Sequence, residues 1–442
     1  MSEWKTLALR DAGVKLIDCD HRTPPASDTG YPYVAIPQVK DGRINVNAAR
    51  RISPSHLVEW TKKANPTAYD VVLSRRCNPG ETAFVEPEMH FALGQNLVLL
   101  RANGDVIYPP FLRWLVRGPE WWEQVGQFIN VGAVFESLKC ADIPKFELSV
   151  PPKLEQREIA HILGTLDDKI ELNRRMNETL EAMARAIFQS WFVDFDPVRA
   201  KASGESADSI CQRLGLTPEL LALFPDSFED SELGEIPKGW AVTTLQSMTS
   251  KIGSGATPRG GRDVYLDEGV ALIRSQNVYD SQFVWAGLAR ITDEAAKQLS
   301  GVEVQLEDVL INITGASILR TCVVEPEVLP ARVNQHVAII RAKAKSASRY
   351  IHLHLMSADM KAYLMGLNAG ASREAVTKGH LESVPIIHPG TSLLERFSET
   401  VTSLYAQVEQ LATQGRALQN LRDALLPKLL SGEISTDGRL TR

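Results

Sequence analysis

The sequence predicts an α+β protein of two similar β-rich globular domains separated by two long helices. The helices are expected to pair as an antiparallel coiled coil, so that the chain is a pseudo-two-fold duplication. Three observations carry this: an uninterrupted amphipathic run from Lys153 to Phe192, a second such run near the C-terminus, and the return of the opening pattern after Gly239.

Composition sets the bounds. With 442 residues, 44% hydrophobic and 23% charged, the chain has the make-up of an ordinary globular protein of two or three domains. Met1 is not followed by a basic stretch and an apolar core, and no apolar run approaches the ~18 residues of a membrane span, so a cytoplasmic protein without a membrane partner is expected. The cysteines Cys19, Cys77, Cys140, Cys211 and Cys322 are odd in number and widely spaced, with no CxxC pair. They read as free, buried thiols, and no metal site is expected.

The first domain is assigned to residues 1–150. Tyr33 to Val39, Ala68 to Ser74 and Asn96 to Arg101 read as strands, with turns at Asp41-Gly42 and Asn103-Gly104. One helix is predicted from Phe111 to Phe128. The first long helix is assigned to 151–192: Pro151 and Pro152 stand where a helix can begin, and Ile159, Ile162, Leu166, Ile170, Leu180, Met183 and Ile187 recur at helical spacing. About 40 residues at ~1.5 Å each give a rod of roughly 60 Å, which needs a comparably long partner.

Residues 193–238 form an acidic connector, expected to carry one or two short helices packed on a neighbour. From Val193 to Gly239 there are four basic and ten acidic residues, which accounts for the whole net charge of −6 and leaves the rest of the chain neutral. The second domain is assigned to 239–390, and the second long helix with its tail to 391–442. There Phe397, Val401, Leu404, Val408, Leu411 and Leu418 follow heptad spacing, broken at Gly415, and Leu425 and Leu429 continue the face. Separate docking of each helix on its own domain is the plainer alternative; length and near-strict heptads favour mutual pairing. Asn173 and Asn177 fit either a register-fixing seam position or the surface.

The repeat is long. Glu3-Trp4 returns as Gly239-Trp240, Tyr33 to Ile44 as Val270 to Phe283, and Tyr69 to Arg76 as Glu307 to Thr314. Gly94 to Ala102 returns as Asn334 to Ala342, and Lys153 to Ile159 as Ser392 to Ser398, at an offset that stays between 236 and 241 residues. A period of this size marks a copied domain plus helix, whereas solenoid repeats run to ~20–50 residues.

Several stretches carry a resemblance. PPKLEQREIA at the start of the first helix, LDDKIELNRRMNETLEAMARAIFQSWFVDFDPVRAK along it, SELGEIPKGW before the second domain and LRDALLPKLLSGEI near the C-terminus resemble the DNA-specificity subunit of type I restriction-modification systems. The helical and linker stretches are the specific part; the globular domains match by pattern. The resemblance implies that the globular domains are target-recognition domains, each binding one half of a split double-stranded DNA target. It further implies that the helical pair acts as spacer and docks two methyltransferase (modification) subunits, with restriction/translocase subunits beyond them. SAM, ATP and Mg would then sit on those partners, with no cofactor on this chain.

No GxxxxGK[ST] loop, glycine-rich SAM-binding turn or HExxH occurs, and Asn78-Pro79-Gly80 lacks an aromatic to stack on a flipped base, so the chain is read as performing no bond chemistry. His352 and His354, two apart on a predicted helix, point to different sides. Binding candidates are polar and basic side chains on domain loops, because arginine pairs bidentately with guanine, and asparagine or glutamine with adenine, in the major groove. In the first domain these are Arg22, Gln38, Lys40, Arg43, Arg50, Arg51, Arg75, Arg76 and Asn78; in the second, Arg259, Arg262, Arg274, Gln276, Asn277, Tyr279, Asn312, Arg320, Ser372, Arg373 and Lys378. Any one of them could instead be a solvated side chain or a phosphate contact that positions without choosing a sequence. Gln95 and Gln335, at matched places, read as structural. The other classes open to this sequence are a protein-binding coiled-coil scaffold and a fused nuclease or methyltransferase.

Overall fold

A computed structural model describes residues 4–131, 136–367 and 375–436. The chain falls into two compact units, Met1–Leu172 with Gln414–Arg442, and Asn173–Thr413. It is a mixed α/β protein in which two 40-residue helices, Lys153–Phe192 and Thr391–Leu430, accompany β-rich regions. The first long helix has the bounds read from its periodicity. Each long helix contributes one part to each unit, so the compact units do not follow the linear division into domain and spacer.

In the first unit the central sheet has the order Val14–Asp18, Leu97–Ala102, Val71–Ser74, Thr82–Phe84, all antiparallel. Beside it Tyr31–Val34 pairs antiparallel with Arg50–Ile52 and parallel with Ala92–Leu93. The N-terminal strand Lys5–Ala8 pairs with Glu147–Val150, the strand that leads into the first long helix.

The second unit has the same pairings. Its central sheet runs Thr249–Ser254, Val337–Ala342, Val309–Asn312, Thr321–Val323. Val270–Ile273 pairs antiparallel with Ala289–Ile291 and parallel with Ala331–Val333, and Ala241–Thr244 pairs with Pro385–His388. Central strands are buried on both faces, as expected for runs such as VVLS, LVLL and VAII. Gly30 and Gly269 open the matching strands at φ 118° and φ 140°, where a Cβ would run into the carbonyl oxygens of Ile52 and Ile291.

The first unit's core joins Val71, Leu73, Val98, Phe111, Trp114, Trp121 and Phe146 to Ile159 and Leu163 of the first long helix and Leu426, Leu429 and Leu430 of the second. Glu158 meets Thr436 and Asp167 meets Arg422, so these two helical segments run in opposite directions. In the second unit, Phe188, Trp191 and Phe192 from the end of the first long helix close on Phe397 near the start of the second, with ring centroids 5.0 to 6.3 Å apart. Met183, assigned to the apolar face, is exposed; Ala184 and Phe188 take up the burial.

Three expectations about elements are corrected. The strand read from Tyr33 to Val39 ends at Val34, and Ile36–Gln38 form a helical turn. The predicted helix from Phe111 to Phe128 is two helices, Pro109–Leu115 and Pro119–Phe128, because Pro119 lacks the N–H and fits only the first turn of a new helix, with extended Gly118 as its cap. The acidic connector carries three short helices, Asp196–Ala202, Ala207–Leu214 and Pro218–Leu221, and a hairpin of Phe228–Ser231 with Gly234–Pro237. Its Phe195, Val198, Ile210, Leu221 and Phe224 belong to the second unit's core, while its charges face outward. Among the described residues no helix is long and apolar enough to cross a membrane.

Candidate nucleic-acid interface

Each unit presents one edge made of a tight hairpin and the loop that follows a central strand. In the first unit the hairpin pairs Val39–Lys40 with Arg43–Ile44, and the loop runs from Arg75 to Glu81. The backbone N–H of Asp41 donates to the Glu81 carboxylate at 3.1 Å, and burial pushes that carboxyl's pKa up. In the second unit the hairpin pairs Val278–Tyr279 with Gln282–Phe283, and the loop runs from Ile313 to Arg320. Here the Ser281 N–H donates to the Thr321 carbonyl at 2.9 Å, and the Thr321 N–H donates to Asp280 at 3.2 Å. The loops start alike: Ser74 N–H donates to Glu81 O, and Asn312 N–H to Arg320 O, both at 2.9 Å. A returning segment braces each, with Leu138 N–H on Arg75 O and Val376 N–H on Ile313 O, again both at 2.9 Å.

Between hairpin and loop the second unit holds a cleft of about 470 Å³, lined by Ser275, Gln276, Tyr279, Thr314, Gly315, Ala316, Ser317, Arg320 and His336. The Arg320 guanidinium lies over the Tyr279 ring, 4.2 Å from its centroid. Thr314 Oγ1 and His336 Nδ1 share a hydrogen bond of 2.7 Å. The cleft thus offers a cation, an aromatic face and several hydroxyl and amide groups, with no carboxylate among its lining residues.

Several candidate base readers are occupied with the protein's own backbone. Gln38 Oε1 accepts the Ala35 N–H at 3.1 Å, and Asn277 Oδ1 accepts the Arg274 N–H at 3.1 Å, so at matched places both side chains close the short helical turn before the hairpin. Asn277, 0% exposed, also donates to Val284 O at 2.8 Å. Asn312 is equally buried, and its amide nitrogen donates to Ser275 O, Val278 O and Ser317 Oγ.

Other candidates are held in ion pairs. Arg43 donates to Glu86 at 2.8 Å and to buried Asp167 at 3.1 Å. Asp167 also receives Arg422 at 2.6 Å, with Arg113 at 3.7 Å; burial lowers the Arg113 guanidinium to about 10 despite the nearby carboxylates. Arg22 is clasped by Asp20 and Glu59, hydrogen bonds that raise its pKa, and lies 4.6 Å over Trp60. Arg75 donates to Leu138 O at 3.3 Å and approaches Asp18, and Arg274 donates to Gly287 O at 2.6 Å.

The remaining candidates reach outward. Lys40, Arg76 and Asn78 lie exposed along the first unit's edge. In the second unit Gln276, Tyr279, Arg259 and Arg262 are exposed, Gln276 donating to Gly287 O at 3.0 Å, and Lys378 pairs with Glu382 at 3.4 Å. The structure therefore gathers Lys40, Arg76 and Asn78 on one edge and Gln276 and Tyr279 on the other, with Arg22 and Arg43 tied elsewhere. Ser372 and Arg373 lie outside the described residues.

The comparisons with known proteins bear on this geometry. Residues 1–182 match the family model described as the type I restriction modification DNA specificity domain. The chain is 25% identical to the type I restriction enzyme HindI specificity subunit of Haemophilus influenzae, over 98% of this chain and 100% of that one. The chain resembles type I specificity subunits from end to end. It is also 24% identical to the MjaIX specificity subunit of Methanocaldococcus jannaschii, over 70% of this chain and 65% of that subunit. Its fold is similar to the crystal structure of a type I restriction-modification S subunit from M. genitalium, at a TM-score of 0.57 and 13% identity, covering 97% of this chain and 96% of that one.

Thr314, Ser317 and His336 line the cleft without being singled out in the sequence; their small or common side chains give no signal until the loop is placed. The cysteine reading also changes. Cys19 and Cys322 are buried, but Cys77 is exposed on the first unit's loop and Cys140 and Cys211 are half-buried. Cys19 stands beside Asp18 and His21, their ligand atoms within 4.8 Å of one another. However, the two nitrogens of His21 face different partners, Asp18 at 2.9 Å and Cys19 at 3.6 Å, and Lys63 lies 3.5 Å from Asp18. A cation there would compete with that ammonium, so the cluster is better suited to a local hydrogen-bonded network.

Proposed function

We propose that this chain recognises a specific, split double-stranded DNA target and directs methyltransferase and restriction subunits to it without catalysing a reaction itself. The observation that carries the reading is the pair of matched edges. Matching main-chain bonds hold the loop and a matching side-chain bond closes the turn before the hairpin in each unit, while the outward side chains differ: Lys40, Arg76 and Asn78 in one, Tyr279, Gln276 and Arg320 in the other. A single scaffold with different tips is what two half-sites of different sequence call for.

On this reading the chain is a duplicated module, with recognition domains at 1–150 and 239–390, a connector at 193–238, and spacers at 151–192 and 391–442 that pair as an antiparallel coiled coil. The opposed segments of the first unit and the aromatic closure of the second support the pairing. Two methyltransferase subunits, bringing SAM chemistry, and restriction subunits, bringing ATP and Mg chemistry, complete the assembly. With no excess positive charge on this chain, much of the phosphate neutralisation falls to those partners.

The test is selection from a random duplex library with the full chain co-expressed with a methyltransferase partner. Enrichment of two fixed blocks separated by a free spacer supports the reading; retention of no sequence sinks it and favours a protein-binding scaffold. Lengthening both long helices by one turn, about 5.4 Å, should shift the spacer by one or two base pairs at ~3.4 Å each. An unchanged spacer would remove the ruler from the proposal.

A further inference from the structure

We propose that Arg320, whose guanidinium lies over the Tyr279 ring, is the guanine-reading side chain of the second unit. This rests on the DNA-recognition reading above and names the chemistry of one position in one half-site.

Placement is the first argument. Contact with the Tyr279 ring, 4.2 Å from Cζ to its centroid, holds the guanidinium in place, and among the described residues no carboxylate pairs with it. By contrast Arg22 and Arg43 spend their donors on Asp20, Glu59, Glu86 and Asp167. A planar fork with two parallel donors matches N7 and O6 of guanine in the major groove. A phosphate contact would take the same charge but has no need of an aromatic support or a braced loop.

Rigidity is the second. Arg320 O accepts the Asn312 N–H at 2.9 Å, Arg320 N–H donates to Ser317 O at 3.2 Å, and buried Asn312 ties the Ser317 hydroxyl at 3.1 Å. The arginine therefore springs from a braced loop, and little freedom is lost when it engages a base.

The third argument is the contrast with the first unit. The backbone bond that places Arg320 places Glu81 there, and the hairpin position of Tyr279 is held by Lys40. The first unit thus has a carboxylate occupied by the Asp41 N–H and a lysine 80% exposed where the second has an arginine over a tyrosine ring. A guanine read from this loop position belongs to one half-site alone.

The experiment compares base preference at every position for the full chain, with its methyltransferase partner, carrying Arg320→Ala, Arg320→Lys, Arg320→Gln, Tyr279→Phe or Tyr279→Ala. Arg320→Ala and Arg320→Lys should lower discrimination at a single guanine of one half-site about 10- to 100-fold and leave the other half-site untouched. Arg320→Gln should move that position towards adenine. Tyr279→Phe should keep the preference and Tyr279→Ala weaken it. Equal weakening of all sequences, with the salt slope reduced by about one, would make Arg320 a phosphate contact and overturn the inference while leaving sequence recognition standing. An unaltered guanine preference in Arg320→Ala overturns it too. Wild-type chain that selects no sequence overturns both readings together.

Discussion

Arg341 clasps Asp308 through two parallel hydrogen bonds, Nε to Oδ1 and Nη2 to Oδ2, each 2.7 Å long. Arg101 and Asp70 make the same fork in the first unit, at 2.7 and 2.6 Å, and both carboxylates are 1% exposed or less. Each aspartate also accepts a backbone N–H three residues before it, from Gln305 or Thr67. The pair therefore ties a long central strand to the start of the strand that carries the edge loop. Asp308→Ala should cost roughly 2–3 kcal/mol, reduced from the ~3–5 of a fully buried pair because the arginine is partly solvated. Asp70→Ala should cost about the same. Chemical denaturation measures both, and a cost under ~0.5 kcal/mol would deny the fork its structural role.

Gln38 and Asn277 provide the cleanest separation of support from recognition. Asn277→Ala should lose roughly 1–3 kcal/mol of stability, and Gln38→Ala about 1, because backbone groups are left without partners. Neither should change which bases are selected. An altered base preference in a variant that folds normally would return that residue to the recognition surface.

Asp167 neutralises more than one guanidinium. Asp167→Ala leaves Arg422 and Arg43 without their buried partner and should destabilise the first unit by about 3–5 kcal/mol, whereas Glu171→Ala should cost less. Hydrogen exchange resolves the two units, and the loss should concentrate in residues of the first.

Acid sensitivity follows from His352, which is 0% exposed, with one ring nitrogen on the Thr321 carbonyl at 3.2 Å. Burial, the largest cause, lowers its pKa to about 3 from an ordinary 6.5. The unfolded chain then binds a proton that the folded chain refuses, so the stability present above pH ~6.5 drains away as pH falls towards 3. His354, lowered to about 4 by burial, adds in the same direction. Melting temperature should drop between pH 7 and 5, and His352→Gln should flatten that slope; an equal slope in the variant would point to other groups.

Much of the frame was legible because it rests on periodicity. The bounds Lys153–Phe192 follow from apolar residues at helical spacing behind two prolines, as far as Ile170 and again from Leu180. The helix expected from Phe111 to Phe128 breaks at Gly118-Pro119, where apolar residues on both sides mask a stop signal carried by proline's missing donor. Site residues were harder, since a glutamine that caps a turn and one that reads adenine have the same letter. Matched positions gave a usable clue. Gln95 and Gln335 read as structural on that ground; both are exposed, and each bonds a threonine hydroxyl, Thr23 or Thr257, at 3.0 and 2.9 Å rather than a buried backbone group. The same comparison would have removed Gln38 and Asn277. Asp167 gave no warning, since its partners Arg43 and Arg422 lie far off in the chain.

The braced loop that begins at Ser74 in one unit and Asn312 in the other has an evolutionary implication. Its anchoring bonds run through main-chain atoms, which any residue supplies, so the exposed tips can drift without loosening what holds them. Substitution at one rim leaves the main-chain anchors of that loop, and those of the matching loop in the other unit, as they were.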